Sequence, residues 1–352
     1  MHGLIIAAAA MLLGWALTAL LLRWLLRARR FAEPTERGLH DRAVPVGGGI
    51  AIIAAVAVLW PLTSWPLTRA DAIILGSAAA LSAISWIDDR HPLWPATRLA
   101  VQALAVAIAL TTLPDQIRLA PMLPFWCERL ALAGAWVWMI NLFNFMDGID
   151  GLAAVETIAI GLGVAALAAF APPTLTPAAG SFISLAAILA GATAGYLIWN
   201  WHPARIFMGD AGSIPIGFLT GWLMLSLAQR GFWAAALILP LYFIVDATWT
   251  LLRRIARGET PWHPHREHMY QRAVLGGLTH DAVTLRIAFA NAVLIGLAVV
   301  SVRYPLPALV VAACVVLQLM AVLNTAAALT SRITPATSAD TPAAPLPSHG
   351  PQ

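Results

Sequence analysis

Apolar runs of about 20 residues, separated by short polar connections, follow one another along most of the chain. A helix needs about that length to cross a hydrocarbon core roughly 30 Å thick. The runs, with the Gly, Pro and charge punctuation between them, predict an all-α, polytopic integral membrane protein with about eleven transmembrane helices. Their approximate limits are 4–22, 48–66, 70–87, 97–113, 125–143, 152–170, 181–199, 214–230, 232–250, 284–303 and 306–328.

Composition agrees with a membrane protein. Of the 352 residues, 60% are hydrophobic and only 11% are charged, whereas soluble domains carry about 25% charged residues. We expect one transmembrane domain over residues 1–330. Residues 331–352 are rich in Pro, Ala, Ser and Thr, which predicts a disordered tail. The two cysteines are too far apart in sequence to indicate a disulfide framework or a metal-binding motif.

The arginines predict how the helices are oriented. The chain has 21 basic residues, all of them arginine. If the loop after the first helix is cytoplasmic, sixteen of the 21 lie inside and five outside, in agreement with the positive-inside rule. We therefore expect the N-terminus outside and the C-terminus in the cytoplasm. No nucleic acid is expected as a partner, because the arginines fall in short loops rather than on one soluble face.

The stretch 141–152 places two amides and two carboxylates at the end of an uncharged run. Such groups beside a bilayer-length helix are costly and are rarely kept unless they bind an ion, a substrate or one another. The four residues are spaced three apart: Asn141, Asn144, Asp147 and Asp150. Their amide and carboxylate oxygens suit a nucleotide, a sugar and Mg²⁺ together. The alternative is a polar helix end followed by a glycine-containing turn.

Two further acidic motifs are predicted on the same, cytoplasmic side. Asp88 and Asp89 end the third run, and because adjacent carboxylates repel each other, a cation or a phosphate-binding network would explain them. A solvated helix end explains them equally well. Asp210 lies between glycines in the connection 200–213, before a predicted helix start that favours an anion. Here the alternative is an ordinary glycine-rich turn.

The predicted loop 263–272 is rich in imidazole and guanidinium groups. They belong to His263, His265, Arg266, His268 and Arg272. Without a cysteine, and with a proline interrupting the register, zinc is a weaker interpretation than contacts to phosphate or sugar. Asp246, near the inner end of the preceding run, either pairs with a following arginine or faces the site.

Together these motifs resemble the polyprenyl-phosphate N-acetylhexosamine-1-phosphate transferases, a family that includes the phospho-N-acetylmuramoyl-pentapeptide transferase. The resemblance covers most of residues 37–286, and its five motifs occur in order. They are the glycine-rich entry at Pro45, Asp88-Asp89, the NxxNxxDGxDGL run from Asn141, the segment 207–213 and the histidine loop. The segment 151–156 is more similar to the enzymes that initiate O-antigen than to the phospho-N-acetylmuramoyl-pentapeptide transferase. One departure is Arg98, where the family commonly has a lysine.

The resemblance implies attack by a polyprenyl-phosphate oxygen on the β-phosphorus of a UDP-N-acetylated sugar, at the cytoplasmic face of the bacterial inner membrane. UMP would leave, and the product would be the first lipid-linked sugar of a cell-surface polysaccharide such as lipopolysaccharide. Mg²⁺ is the implied cofactor, with Mn²⁺ as a substitute, and a homodimer is an open alternative to a monomer.

The roles that the resemblance implies for single residues fall into three groups. The metal ligands would be Asp210 and Asp147. The catalytic residues would be Asp88, Asp89, Asp147, Asp150 and His265. The substrate-binding residues would be Asn141, Asn144, Asn200, His263, Arg266, His268 and Arg98.

Two other classes of protein stay open. A secondary transporter with a polar cytoplasmic gate would explain the many helices, but its polar residues should lie near the bilayer midplane rather than at one surface. A non-catalytic membrane scaffold would explain the hydrophobicity but not the motifs on one side. Release of UMP from a UDP-sugar would separate all three.

Overall fold

The computed structural model describes residues 2–28, 43–91, 93–115, 118–170, 180–260, 263 and 265–333. In this part of the chain the structure is all-helical, apart from one isolated backbone bridge, as the sequence predicts. The thirteen helices are α1 (His2–Arg27), α2 (Gly49–Thr63), α3 (Arg69–Asp88), α4 (Pro95–Leu110), α5 (Phe125–Phe145), α6 (Leu152–Phe170), α7 (Gly180–Asn200), α8 (Asp210–Gln229), α9 (Trp233–Ile238), α10 (Leu241–Ala256), α11 (Met269–Leu275), α12 (His280–Val300) and α13 (Pro305–Ile333).

Seven helices within the described ranges are long and apolar enough to cross a membrane: α1, α3, α6, α7, α8, α12 and α13. The apolar helices α2 and α4 are shorter. Large apolar side chains on the outer helices point away from the core, among them Leu104, Phe289 and Val310, which are 61%, 75% and 63% exposed. Apolar exposure on this scale fits contact with lipid. Together these features fit a polytopic membrane protein.

The predicted helix over 232–250 is two helices in the structure, α9 and α10, separated at Leu239 and Pro240. Proline has no N–H to donate and its ring clashes with the carbonyl four residues earlier, so it ends a helix or kinks it. The apolar character of the run hides this break. The short helix α11 is a second difference from the prediction, because it lies outside all the predicted apolar runs. Of the predicted tail, residues 334–352 lie outside the described residues.

Helix α8 forms the centre of the bundle, and almost all its residues are buried. It lies directly against α5. A Cβ on Gly217 would lie 2.8 Å from the Cα of Ile140. The indole N–H of Trp136 donates to the carbonyl oxygen of Phe218 at 2.8 Å, and the two rings stack with centroids 5.0 Å apart. These contacts fix the direction of α8, and with it the position of its first residue, Asp210.

The glycine-rich entry to α2 holds the connection that leads into α8. The N–H groups of Gly47 and Gly48 donate to the carbonyl oxygen of Phe207 at 3.1 and 2.8 Å. A Cβ on Gly49 would lie 2.2 Å from the Cα of Gly212. In the structure these glycines therefore serve close backbone packing.

Helices α1 and α7 also approach each other through glycine. A Cβ on Gly195 would lie 2.1 Å from the carbonyl oxygen of Met11, and one on Gly191 would lie 2.2 Å from that of Ala7. Small residues at such positions let two membrane helices pack backbone to backbone.

We expect Gly195→Ala to lower the melting temperature of the detergent-solubilised protein, because overpacking a close contact costs about 1–3 kcal/mol. The matched control is Gly296→Ala in α12, where a Cβ would meet no atom of the described residues within 4 Å. This control should melt no lower than the unmodified protein, since alanine has a higher helix propensity than glycine. Equal melting temperatures for the two variants would contradict the proposed role of this contact.

Candidate active site

Ends of four helices bring the predicted acidic motifs together at one end of the bundle. Asp88 is the last residue of α3 and Asp210 is the first residue of α8. Asn144 lies in the last turn of α5, and Arg98 lies in the first turn of α4. Since each helix is fixed by its packing, these four side chains converge although they are far apart in sequence.

Arg98 connects two of the acidic motifs. Its Nε lies 2.6 Å from Oδ2 of Asp88, and its Nη1 lies 3.7 Å from Oδ2 of Asp210. The other oxygen of Asp88 accepts the N–H of Leu93 at 2.6 Å, and Asp88 is buried. Asn144 donates to Oδ1 of Asp210 at 2.7 Å. Both carboxylates are therefore held in defined orientations, with the arginine between them.

Asp89 and Asp147 add two more carboxylates beside the start of α8. Asp89 accepts the N–H of Ala211 at 3.4 Å, in the first helical turn, where free N–H groups favour negative charge. Asp147 accepts the N–H of Gly209. Burial and then the charge of Asp210 raise the pKa of Asp89 to about 6. Burial, followed by the charges of Asp210 and Asp89, raises the pKa of Asp147 well above its ordinary value.

Asp88, Asp89, Asp147 and Asp210 form an acidic cluster at this end of the bundle, and repulsion between carboxylates adds to burial in raising the pKa of Asp89 and Asp147. Carboxylate oxygens are the hard ligands that Mg²⁺ takes in proteins, and a divalent cation would relieve their repulsion. The donor set therefore fits Mg²⁺, with Asp210 and Asp147 as the residues placed to hold it and Asp89 close by.

A groove of about 580 Å³ leads to the same carboxylates from between α4, α5 and α8. Its walls are largely apolar and include Trp94, Pro95, Leu99, Phe145 and Ile214. Arg98, Asn144 and Asp210 line its polar part. The groove is thus amphiphilic and could receive an apolar chain whose charged end reaches the arginine.

Asn141 lines this groove rather than the acidic cluster. It donates to Oε1 of Gln102 at 2.7 Å and to the carbonyl oxygen of Val137 at 2.8 Å. Gln102 is a buried polar residue of α4 that sequence reasoning missed. A glutamine inside the apolar run 97–113 was the available signal.

Asp246 anchors the histidine loop, whereas the sequence left open an arginine partner or a place facing the site. It is fully buried, and its two oxygens accept the N–H of Met269 at 3.0 and 3.1 Å. Tyr242 and Thr250 donate their hydroxyls to the same carboxylate at 3.0 and 3.2 Å. The nearby arginines Arg253 and Arg254 pair instead with Glu267 and Glu259. Asp246 thus fixes the start of α11.

The histidine loop is docked against the end of α5. The ring of His268 stacks on Tyr270 with centroids 5.7 Å apart and lies 6.3 Å from the ring of Phe145. The hydroxyl of Tyr270 donates to the carbonyl oxygen of Phe145 at 2.8 Å. Because Phe145 follows Asn144 directly, the loop is tied to the residue that contacts Asp210. Tyr270 thus positions the loop. Like Gln102, it is not among the site residues that the sequence predicts.

The histidines of this loop are not equivalent. His268 is buried, with its Nδ1 3.5 Å from Asp246. The ring of His265 lies 4.9 Å from that of His268. Burial, then His268 and Arg254, lowers the pKa of His265 to about 4, so its imidazole is neutral at pH 7. His263 is exposed and its Nδ1 lies 3.2 Å from the Thr260 hydroxyl. Arg266 is partly exposed in the same loop.

Two predicted site residues, Asp150 and Asn200, hold neighbouring connections together. Oδ2 of Asp150 lies 2.7 Å from Nδ1 of His202 and 3.5 Å from Nδ1 of His280. Asn200 accepts the N–H of Gly151 at 2.9 Å and donates to a backbone carbonyl in the connection between α7 and α8, also at 2.9 Å. No spacing in the sequence links either histidine to Asp150, so the sequence does not predict these contacts.

Comparison with known proteins finds relatives that match most of this chain. The model of glycosyl transferase family 4 matches residues 72–228. The chain is 30% identical to the probable undecaprenyl-phosphate N-acetylglucosaminyl 1-phosphate transferase of Bacillus subtilis (strain 168), over 72% of this chain and 72% of that relative. It is 30% identical to the decaprenyl-phosphate N-acetylglucosaminephosphotransferase of Mycolicibacterium smegmatis, over 73% and 71%.

The undecaprenyl-phosphate alpha-N-acetylglucosaminyl 1-phosphate transferase of Escherichia coli (strain K12) is 27% identical, over 76% of each chain. The residues matched by the family model include the whole acidic cluster, from Asp88 to Asp210. The resemblance predicted from the motifs is confirmed, and the chain belongs to the polyprenyl-phosphate N-acetylhexosamine-1-phosphate transferase family.

Proposed function

We propose that this protein transfers an N-acetylhexosamine-1-phosphate from a UDP-sugar to polyprenyl phosphate. In the reaction an oxygen of the lipid phosphate bonds to the β-phosphorus, the bond to the bridging oxygen breaks, and UMP leaves. The observation that carries the proposal is the apolar groove that ends at Arg98 beside the crowded carboxylates. Family membership and the names of the relatives support the same reaction class.

The groove suits the lipid acceptor. A polyprenyl chain is apolar and its phosphate is anionic, so the chain would lie along Trp94 and Leu99 while the phosphate reaches Arg98. Arginine binds phosphate through several N–H donors in a planar fork. Asp88 would keep the guanidinium in place, which makes it a positioning residue for the acceptor.

Charge is the main obstacle to this reaction, rather than the strength of the nucleophile. A phosphate monoester has a second pKa near 6, so its oxygen is largely ionised at pH 7 and needs little help from a base. Mg²⁺ held by Asp210 and Asp147 would neutralise the pyrophosphate of the donor. Arg98 would offset part of the negative charge of the acceptor phosphate, and the neutral imidazole of His265 could hydrogen-bond to donor oxygens.

The donor would approach from the cytoplasm, where UDP-sugars are soluble. The concentration of arginines on the motif-bearing side supports this orientation, with the N-terminus outside. The number of crossings that we propose, about eleven, is supported by the apolar runs. We propose that the product is the first lipid-linked sugar of a bacterial cell-surface polysaccharide, formed at the inner membrane.

The direct test is an assay of the purified protein with polyprenyl phosphate, Mg²⁺ and a panel of UDP-N-acetylated sugars. We expect UMP release and a lipid-linked sugar pyrophosphate with at least one donor, and no release without the lipid or after chelation. Mn²⁺ should restore part of the activity. If no donor gives UMP, the proposed reaction is wrong and a transport function becomes the better interpretation.

Asp210→Asn should lower kcat on the order of 10² or more, because a charged ligand in a preorganised site is lost. The matched control is Asp115→Asn, at a carboxylate that is 76% exposed and pairs with Arg129 away from the site. The control should keep normal turnover. Near-normal kcat for Asp210→Asn at saturating Mg²⁺ would exclude Asp210 as a metal ligand.

Asp246→Asn should raise KM for the UDP-sugar about 10-fold or more and leave KM for the lipid almost unchanged. Both carboxylate oxygens of Asp246 accept the N–H of Met269, whereas an asparagine amide has only one oxygen that can accept, so one of these contacts is lost. A hydrogen bond to a charged acceptor contributes about 1.5–3 kcal/mol. Hydrogen exchange of the α11 amides should accelerate.

The matched control for Asp246 is Thr250→Val, which removes one hydrogen bond to the carboxylate but leaves both contacts to Met269. It should change KM for the UDP-sugar much less. A rise in both KM values together, with unchanged exchange in α11, would show that Asp246 does not act through the histidine loop.

A further inference from the structure

We propose that Asp150, His202 and His280 form a second metal site, for a divalent transition metal of the zinc class. This site is separate from the carboxylate cluster around Asp210. Its argument depends on the geometry of three side chains and does not require the proposed transferase reaction.

The three side chains present their ligand atoms to one another. One oxygen of Asp150 lies 2.7 Å from Nδ1 of His202 and 3.5 Å from Nδ1 of His280, and one ligand atom from each residue lies within 4.8 Å of the others. The two imidazole rings are 5.0 Å apart, centroid to centroid. Small side-chain adjustments would place all three atoms about 2.0–2.2 Å from a shared ion.

The ligand types select the metal. Imidazole nitrogen suits zinc and similar transition metals, whereas Mg²⁺ prefers carboxylate oxygen and water. Two histidines and one carboxylate are also a ligand set found in zinc proteins, with a fourth position left for water. The carboxylate cluster and this cluster therefore differ in chemistry as well as in position.

The surroundings are suitable for a cation. Asp150 and His280 are buried, while the side chain of His202 is 36% exposed and provides a path from solvent. The N–H of Ala204 donates to the same oxygen of Asp150 at 3.1 Å and would orient the ligand. His280 lies at the positive end of α12, but Asp281 in the same turn offsets that charge and interacts with His202.

A metal at this position would join three connections of the chain. Asp150 belongs to the loop after α5, His202 to the connection between α7 and α8, and His280 to the start of α12. The same loop carries Asp147, three residues before Asp150. Metal binding would thus stiffen one side of the acidic cluster from outside it.

The test uses the full chain purified without a histidine tag. After equilibration with zinc and extensive dialysis, we expect zinc stoichiometric with the protein by elemental analysis. X-ray absorption at the zinc edge should show nitrogen and oxygen neighbours at about 2.0–2.2 Å with the scattering pattern of imidazole. Zinc should also raise the melting temperature, because it binds the folded chain.

His202→Ala should weaken zinc binding more than about 100-fold, beyond the 10- to 100-fold that loss of an outer partner costs. It should also abolish the zinc-dependent rise in melting temperature. Asp150→Asn provides a second variant in case the first fails to fold. His265→Ala, in the histidine loop, is the matched control and should keep the zinc.

Three results would overturn the proposal. They are an unmodified protein that retains no zinc, variants of His202 and Asp150 that bind zinc as tightly as the unmodified protein, and loss of zinc only in His265→Ala. In the first case the three side chains would form a hydrogen-bonded cluster without a metal. None of these results bears on UMP release, so failure here and failure of the transferase reaction are distinguishable.

Discussion

The crowding of carboxylates at the first turn of α8 is the constraint on which the rest of the site depends. Asp89 and Asp147 both accept hydrogen bonds from the backbone at this turn, and Asp210 begins it. Burial, and after it the repulsion between these carboxylates, raises the pKa of Asp89 and Asp147. Such an arrangement is unfavourable unless cations complete it. Arg98 supplies one positive charge, and a divalent metal would supply more.

Close backbone packing keeps these charges in position. Gly49 meets Gly212 at the start of α8, and Gly217 meets α5 one and a half turns later. With no side chain at these points, α8 cannot tilt without breaking contacts to two other helices. The apolar packing of α8 therefore fixes the position of the carboxylates at its first turn. In this way a membrane protein can hold charge at a defined place.

The end of α5 connects the acidic cluster with the histidine loop. Asn144 contacts Asp210, and the next residue, Phe145, contacts His268 and Tyr270. Asp246 holds the other side of that loop by accepting the N–H of Met269. A donor bound between the carboxylates and the loop would consequently touch two surfaces that share one helix end.

The membrane class and the all-helical fold follow from composition and from the spacing of the apolar runs. Local motifs also name most of the polar groups that meet near the start of α8. The direction in which each of these groups faces depends instead on tertiary packing. Asn141 and Asn144 both line the groove but differ by about 60° around α5, and their amides donate to Gln102 and Asp210 respectively.

Helix α5 ends at Phe145, and beyond it a spacing of three residues no longer places side chains on one helical face. Asp147 and Asp150 therefore contact different partners. The partners of Asp150 are His202 and His280, which no spacing in the sequence connects to it. The break between α9 and α10 is different, because it has a local cause in Pro240. For the side chains of the site, by contrast, the partner depends on long-range packing, which a local pattern does not contain.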